Sequence, residues 1–244
     1  MRISSRNAAK RKNGNGSLRN YLGDGISFEA MEAYKLLRTN LNFCVQNEGK
    51  CVCLGVTSSV AQEGKSTTSV NLAYVLAENG HKVCLIEGDM RLPTLAVRLN
   101  IRPKQGLSSV LAGVSTDKQV FSQTSLHKNL FVVTAGDVPP NPAELLGKKR
   151  MEEFILLLRN MYDYIIIDLP PITVVSDALV TAPYIDGMLM VVREGYCKKR
   201  ELSEAVDRLG VLGDKFLGFA ITHVSRNGKS YYHYSNYDYR KHYG

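Results

Sequence analysis

The sequence predicts an α/β fold: a doubly wound, mostly parallel sheet in a single domain, with a basic N-terminal arm and a tyrosine-rich C-terminal tail. Three observations point there. Short, nearly continuous apolar runs alternate with longer segments of helical period, the pattern of strands covered on both faces by crossover helices. The first apolar run is followed by a short loop ending in Gly-Lys-Ser that opens a helix. Two later runs end in acids, at the strand ends where such sheets gather their ligands.

The elements follow in order. From Phe28, FEAMEAYKLLRTNLNF sets Phe28, Met31, Leu36, Leu37 and Leu41 on a broken helical stripe, so an amphipathic helix precedes the first strand. CVCLGVT is a strand over 51–57, GKSTTSVNLAYVLAENG a helix closed by Gly80, and KVCLIE a strand over 82–87. LFVVTAG starts a strand at Leu130, and a helix is expected over 143–160. YIIID is a strand over 164–168, followed by a helical stretch near 176–184. A strand over 187–192, a helix over 200–212 and a strand over 216–221 complete the series.

Composition restricts the function. The 244 residues suffice for one or two domains and a buried core. No apolar run reaches the roughly 18 residues of a membrane-spanning helix, and the N-terminus carries no hydrophobic signal, so the expected location is the cytoplasm unless something tethers the chain. The five cysteines lack a CxxC pair, and Cys51, Cys53 and Cys84 lie inside strand-like runs, so neither disulfides nor a metal site is expected of them. Of the net +8, residues 1–20 contribute +6 and residues 225–244 contribute +3, which leaves −1 for the middle of the chain. A nearly neutral core is not a nucleic-acid-binding domain, and no nucleic-acid partner is expected. The arm, 1–27, reads as a solvated segment or one drawn to an anionic membrane surface. The tail, 225–244, has no aliphatic side chain but holds Tyr231, Tyr232, Tyr234, Tyr237, Tyr239 and Tyr243; it is expected to stay outside the core formed by 28–224.

The chemistry concentrates in one segment. Ser59, Gln62, Glu63, Gly64, Lys65, Ser66 and Thr67 form a phosphate-binding P-loop between a strand and a helix. Its amides and the helix N-terminus favour phosphate, Lys65 reaches the β and γ oxygens, Ser66 ligates magnesium and Thr67 lies near the α-phosphate. Ser59 and Gln62 stand where other such loops have glycine, so Gly64 alone is expected to relax the backbone. Asp168 ends its strand where an acid holds a magnesium-bound water, and Glu87 and Asp89 follow the second strand. A single strand-end acid would read as a helix cap; three beside a P-loop favour a metal-phosphate site. Phosphoryl transfer to a phenol of pKa near 10 also needs a proton acceptor, and Glu87 or Asp89 can serve.

With these motifs in place, the chain resembles the bacterial tyrosine kinases that regulate capsular and exopolysaccharide synthesis, in the form of a separate cytoplasmic kinase polypeptide. The resemblance spans residues 28–244 and rests on EAYKLLRTNL, EGKSTTSVNLA as Walker A, VCLIEGDMRLP as Walker A′, GLSSVLAG, VPPNPAELL, DYIIIDLPP as Walker B, the SDA at 176–178 and the terminal tyrosine cluster. It implies ATP with magnesium, with Lys65, Glu87, Asp89 and Asp168 as catalytic groups and Ser66, Glu87, Asp89 and Asp168 around the metal. It further implies autophosphorylation of the six tail tyrosines, Arg91 steadying the γ-phosphate or a neighbour's loop, and a ring of subunits joined through Glu32, Lys35 and Arg38. The implied partners are a transmembrane adaptor that activates the kinase at the inner face of the membrane, a cognate tyrosine phosphatase and protein substrates of polysaccharide synthesis. Glu87 for the usual aspartate, Gln62 in the loop, and Thr222 and His223 for an Asn-Lys or Asn-Arg pair depart from the family pattern. A partition-type ATPase is the rival on the same fold, although its signature lysine is replaced here by Val60. A nucleotide-binding scaffold without catalysis is another, and a tail that binds nucleic acid a third.

Overall fold

The computed structural model describes residues 22–45, 49–103, 105–116 and 119–224. The six tail tyrosines and most of the basic arm lie outside the described residues. Residues 22–27, assigned above to the arm, behave differently: Leu22 is buried, and Gly23 N–H donates to Asn71 Oδ1 at 2.9 Å. An apolar side chain beside the core is enough to draw this short stretch in.

The chain folds as α1 (Phe28–Cys44), β1 (Val52–Ser58), α2 (Lys65–Glu78), β2 (Val83–Glu87), α3 (Leu95–Arg98), α4 (Leu107–Leu111), β3 (Phe121–Gln123), β4 (Leu130–Val133), α5 (Pro142–Leu146), α6 (Lys149–Arg159), β5 (Tyr164–Asp168), α7 (Asp177–Val180), β6 (Gly187–Arg193), α8 (Lys199–Gly210) and β7 (Phe216–Thr222). Among the described residues, seven strands form one sheet in the order β3-β4-β2-β5-β1-β6-β7. All neighbours are parallel except the short edge pair β3 and β4. Among the described residues no helix is long and apolar enough to cross a membrane.

Every residue of β1, β2 and β5 is buried, as expected of strands covered on both faces. Alternate side chains feed two cores. Cys53, Cys84, Ile86, Ile165 and Ile167 pack beneath α4 to α8, while Leu54, Val56, Leu85 and Ile166 meet α1 and α2. Burial pushes the thiols of Cys53 and Cys84 up and keeps them protonated.

Ser27 caps α1 by accepting from Ala30 N–H at 3.3 Å. The helix expected over 143–160 is two helices, because the chain turns at Gly147 and Lys148 between α5 and α6. The stretch near 176–184 likewise divides into α7 and a 3-10 turn, Ala182–Tyr184, with Pro183 inside the turn unable to donate to a continuing helix.

Candidate active site

The carboxyl ends of the three central strands converge. β5 lies between β2 and β1, and in register Asp168 is flanked by Glu87 on one side and Val56 on the other. The phosphate loop leaves β1 two residues beyond Val56, so strand order alone brings Walker A, A′ and B together.

The loop is held by its own side chains. The Glu63 carboxylate accepts from Ser59 Oγ at 2.6 Å, Val60 N–H at 2.9 Å and Arg193 N–H at 3.3 Å. Thr222, at the end of β7, donates its hydroxyl to the Glu63 carbonyl at 2.8 Å. Gly64 takes a left-handed φ of 93°. Contrary to expectation, it is not alone: Gln62 adopts φ 66°, a conformation that a side chain makes costly, while its amide oxygen accepts from Tyr196 Oη at 3.3 Å. Thr67 Oγ1 lies 3.4 Å from the Arg98 guanidinium.

Lys65 opens α2 and is nearly buried. Its ammonium lies 3.0 Å from Asp168 Oδ1, 3.4 Å from Asp89 Oδ2 and 3.4 Å from Ser66 Oγ. Ser69, one turn along α2, puts its hydroxyl 3.1 Å from the same Asp168 oxygen. The Walker A′ turn hangs on Walker B through the backbone: Gly88 N–H and Asp89 N–H both donate to the Asp168 carbonyl, at 2.8 and 3.0 Å. Gly88 allows this approach, since a Cβ there would meet Ile167 and Leu169 at 3.0 Å and the Asp168 carbonyl at 3.1 Å.

Two sequence-predicted residues do other work. Glu87 reaches the right strand end, but its carboxylate is taken up by backbone: Oε1 accepts from Thr94 N–H and from Leu95 N–H at 2.6 Å, and Oε2 from Ala135 N–H at 3.0 Å. Burial pushes its carboxyl up, against the opposing pull of those three donors. It therefore ties β2 to α3 and β4 instead of joining the acids around Lys65. Arg91 pairs with the fully buried Asp177, Nε to Oδ2 at 3.0 Å and a terminal nitrogen to Oδ1 at 3.1 Å. Asp177 belongs to the SDA motif; nothing in its local sequence signals a partner 86 residues away.

On α1, Glu32 and Lys35 form an exposed pair at 3.0 Å, whereas Arg38 donates to the Val75 carbonyl at 2.8 Å across the α1–α2 contact. The structure thus leaves Glu32 and Lys35 on the surface and spends Arg38 on the core.

The residues fit a nucleotide phosphate chain and a hard cation. The first-turn N–H groups of α2 have no intrahelical acceptors, and the ammonium of Lys65 stands at their mouth. Ser66, Asp89 and Asp168 supply oxygen donors of the type magnesium prefers. Among the described residues no three His, Cys, Asp or Glu side chains cluster tightly enough to cage a metal unaided, which suits an ion that shares its shell with phosphate and water.

Comparison with known proteins agrees with this geometry. A family profile described as an AAA domain matches residues 61–198. The tyrosine-protein kinase YwqD of Bacillus subtilis is 39% identical over 209 residues, covering 85% of each chain. The tyrosine-protein kinase CpsD of Streptococcus agalactiae is 36% identical over 207 residues, 84% of this chain and 89% of the relative. The crystal structure of the chimerical protein CapA2B2 superposes with a TM-score of 0.77 at 30% identity, covering 84% of this chain and 89% of that one.

Proposed function

We propose, for a chain that belongs to the bacterial tyrosine-protein kinase family and is built on its P-loop α/β fold, that it phosphorylates its own C-terminal tyrosines with ATP and magnesium. The observation that carries this reading is Lys65, whose ammonium meets Asp168 and Asp89 at the mouth of the phosphate loop. The N–H groups of residues 62–67 and the Lys65 charge hold the β- and γ-phosphates and stabilise the charge that develops on transfer. Ser66 and Asp168 hold the magnesium ion, which neutralises phosphate charge when bound. Asp89 orients the attacking phenol and accepts its proton, because Glu87 has both oxygens engaged by backbone donors. Arg91, fixed by Asp177, sets the turn that carries Asp89.

The tail from Val224 to Tyr243 could extend about 60 Å at roughly 3.3 Å per residue, which favours transfer between neighbouring subunits. Assembly through Glu32 and Lys35, activation by a transmembrane adaptor at the inner membrane face, reversal by a phosphatase, and control of capsular or exopolysaccharide synthesis and export complete the proposal. The test is intact-mass spectrometry of the chain with ATP and magnesium, with and without an adaptor's cytoplasmic segment, followed by site mapping. Phosphate on Tyr231 to Tyr243 that disappears in Lys65→Ala supports the proposal. Nucleotide bound or hydrolysed with no phosphotyrosine in either condition would favour the partition-type switch or the scaffold.

A further inference from the structure

We infer that Tyr196 is a second kind of phosphoacceptor, one within the folded domain, whose modification weakens nucleotide binding at the loop it touches. The inference rests on the kinase reading above. Among the described residues Tyr196 is the one exposed tyrosine, at 44% of full exposure; Tyr34 and Tyr184 are half-buried, and Tyr74, Tyr162 and Tyr164 are buried. It occupies the short connection between β6 and α8, which clasps the phosphate loop. Arg193 N–H bonds the Glu63 carboxylate, Glu194 N–H donates to the Thr222 carbonyl at 3.1 Å, and Tyr196 Oη donates to Gln62.

One cation stacks on the Tyr196 ring and three more lie within four residues of it in the chain. The Arg193 guanidinium stacks 4.8 Å from the ring centre, and Lys198, Lys199 and Arg200 follow directly in the chain. They would attract the donor's phosphates and afterwards retain the product phosphate. The hydroxyl is bonded to Gln62 of its own phosphate loop, so a second copy supplies the acting site. There the phenol oxygen attacks the γ-phosphorus of ATP; the new O–P bond forms as the bond to the β,γ-bridging oxygen breaks. ADP departs with that electron pair, and the phenol proton passes to a carboxylate of the acting site.

Phosphorylation then does two things to the modified copy. It removes the hydroxyl that donates to the Gln62 side-chain amide. It also sets a charge of about −1.5 to −2 beside amides that must receive a polyanion. A cycle of transfer would in this way limit itself at the nucleotide site, independently of the tail.

The experiment incubates the full-length chain with ATP and magnesium until the tail tyrosines are modified, maps every site, and titrates a fluorescent non-hydrolysable ATP analogue before and after phosphatase treatment. Phosphate on Tyr196, with affinity about tenfold weaker than after phosphatase, is expected. In Tyr196→Phe the tail is still modified but the phosphatase-dependent difference disappears, and Tyr196→Glu binds the analogue more weakly than Tyr196→Phe. A fully modified tail beside an unmodified Tyr196 overturns the inference and leaves the kinase reading standing. A modified Tyr196 with unchanged affinity, or equal affinities of the Glu and Phe variants, also overturns it. No phosphotyrosine anywhere overturns the kinase reading and this inference together.

Discussion

Lys65 and Asp168 face each other at 3.0 Å with almost no exposure, so each charge depends on the other for its solvation. Replacing Asp168 by Asn leaves the ammonium with Asp89 alone. The expected outcome is loss of tyrosine phosphorylation by two to three orders of magnitude, roughly the range for removing one preorganised electrostatic group, with stability lowered by about 3 kcal/mol. Phosphotransfer assays and urea titration measure the two effects separately. Glu87 offers a pH signature. Its folded-state pKa is raised above the ordinary 4.5, so the folded protein holds this proton more tightly than the unfolded chain. The associated stability is present below that value and is lost as pH rises through the raised one. Glu87→Gln removes the titration but gives up acceptors for backbone N–H groups, so it is less stable than the wild type at pH 4. The deficit should narrow as pH rises to 8, read by urea midpoints across the range. A deficit that widens would mean that the three amide donors outweigh burial.

The Walker A′ turn is the element on which the site depends, since it approaches β5 closely enough for two amides to share one carbonyl. Gly88→Ala should cost about 1–3 kcal/mol through overpacking against Ile167 and Leu169, while depressing phosphotransfer further by displacing Asp89. A variant as active as wild type per folded molecule would show that the turn tolerates that displacement. This turn also illustrates how much could be read from the chain. Apolar runs bounded by helical periods locate β1, β2, β4, β5 and β6, because strands buried on both faces need continuous apolar side chains, and they also locate β7, an edge strand that is only partly buried. The P-loop and its two acids are visible because each must sit at a strand end. What stays hidden is set by long-range contact. The Arg91–Asp177 pair joins residues far apart in sequence, and the capture of Glu87 by Thr94, Leu95 and Ala135 depends on backbone groups that have no side-chain signature. Three-residue β3, paired only at an edge, is too short for a period to register.

At the scale of the whole molecule, a nearly neutral core carries a tail of +3. Six phosphates at about −1.5 to −2 each would turn that tail to roughly −6 to −9. Adjacent tails in an assembly would then repel one another, and the expected result is a smaller particle by mass photometry after phosphorylation than after phosphatase treatment. Equal masses would remove the electrostatic release from the scheme. Replacing all six tail tyrosines by Phe should leave ATP affinity within about twofold of wild type, since the phosphate loop and its acids lie in the described domain; calorimetric titration tests this. One feature of β7 also gives the tail a mechanical meaning. Thr222 ends a parallel edge strand in register with Arg193 and, through its hydroxyl, grips the Glu63 carbonyl. Under the proposed transfer between subunits, a tail caught in a neighbour's catalytic cleft would pull on β7 along its length, so the load would fall in shear across the hydrogen bonds to β6 and not be taken one bond at a time. The Thr222 bond to the phosphate loop would then be the first non-sheet bond to feel that tension, and the loop would act as a strain gauge for whether the tail is held.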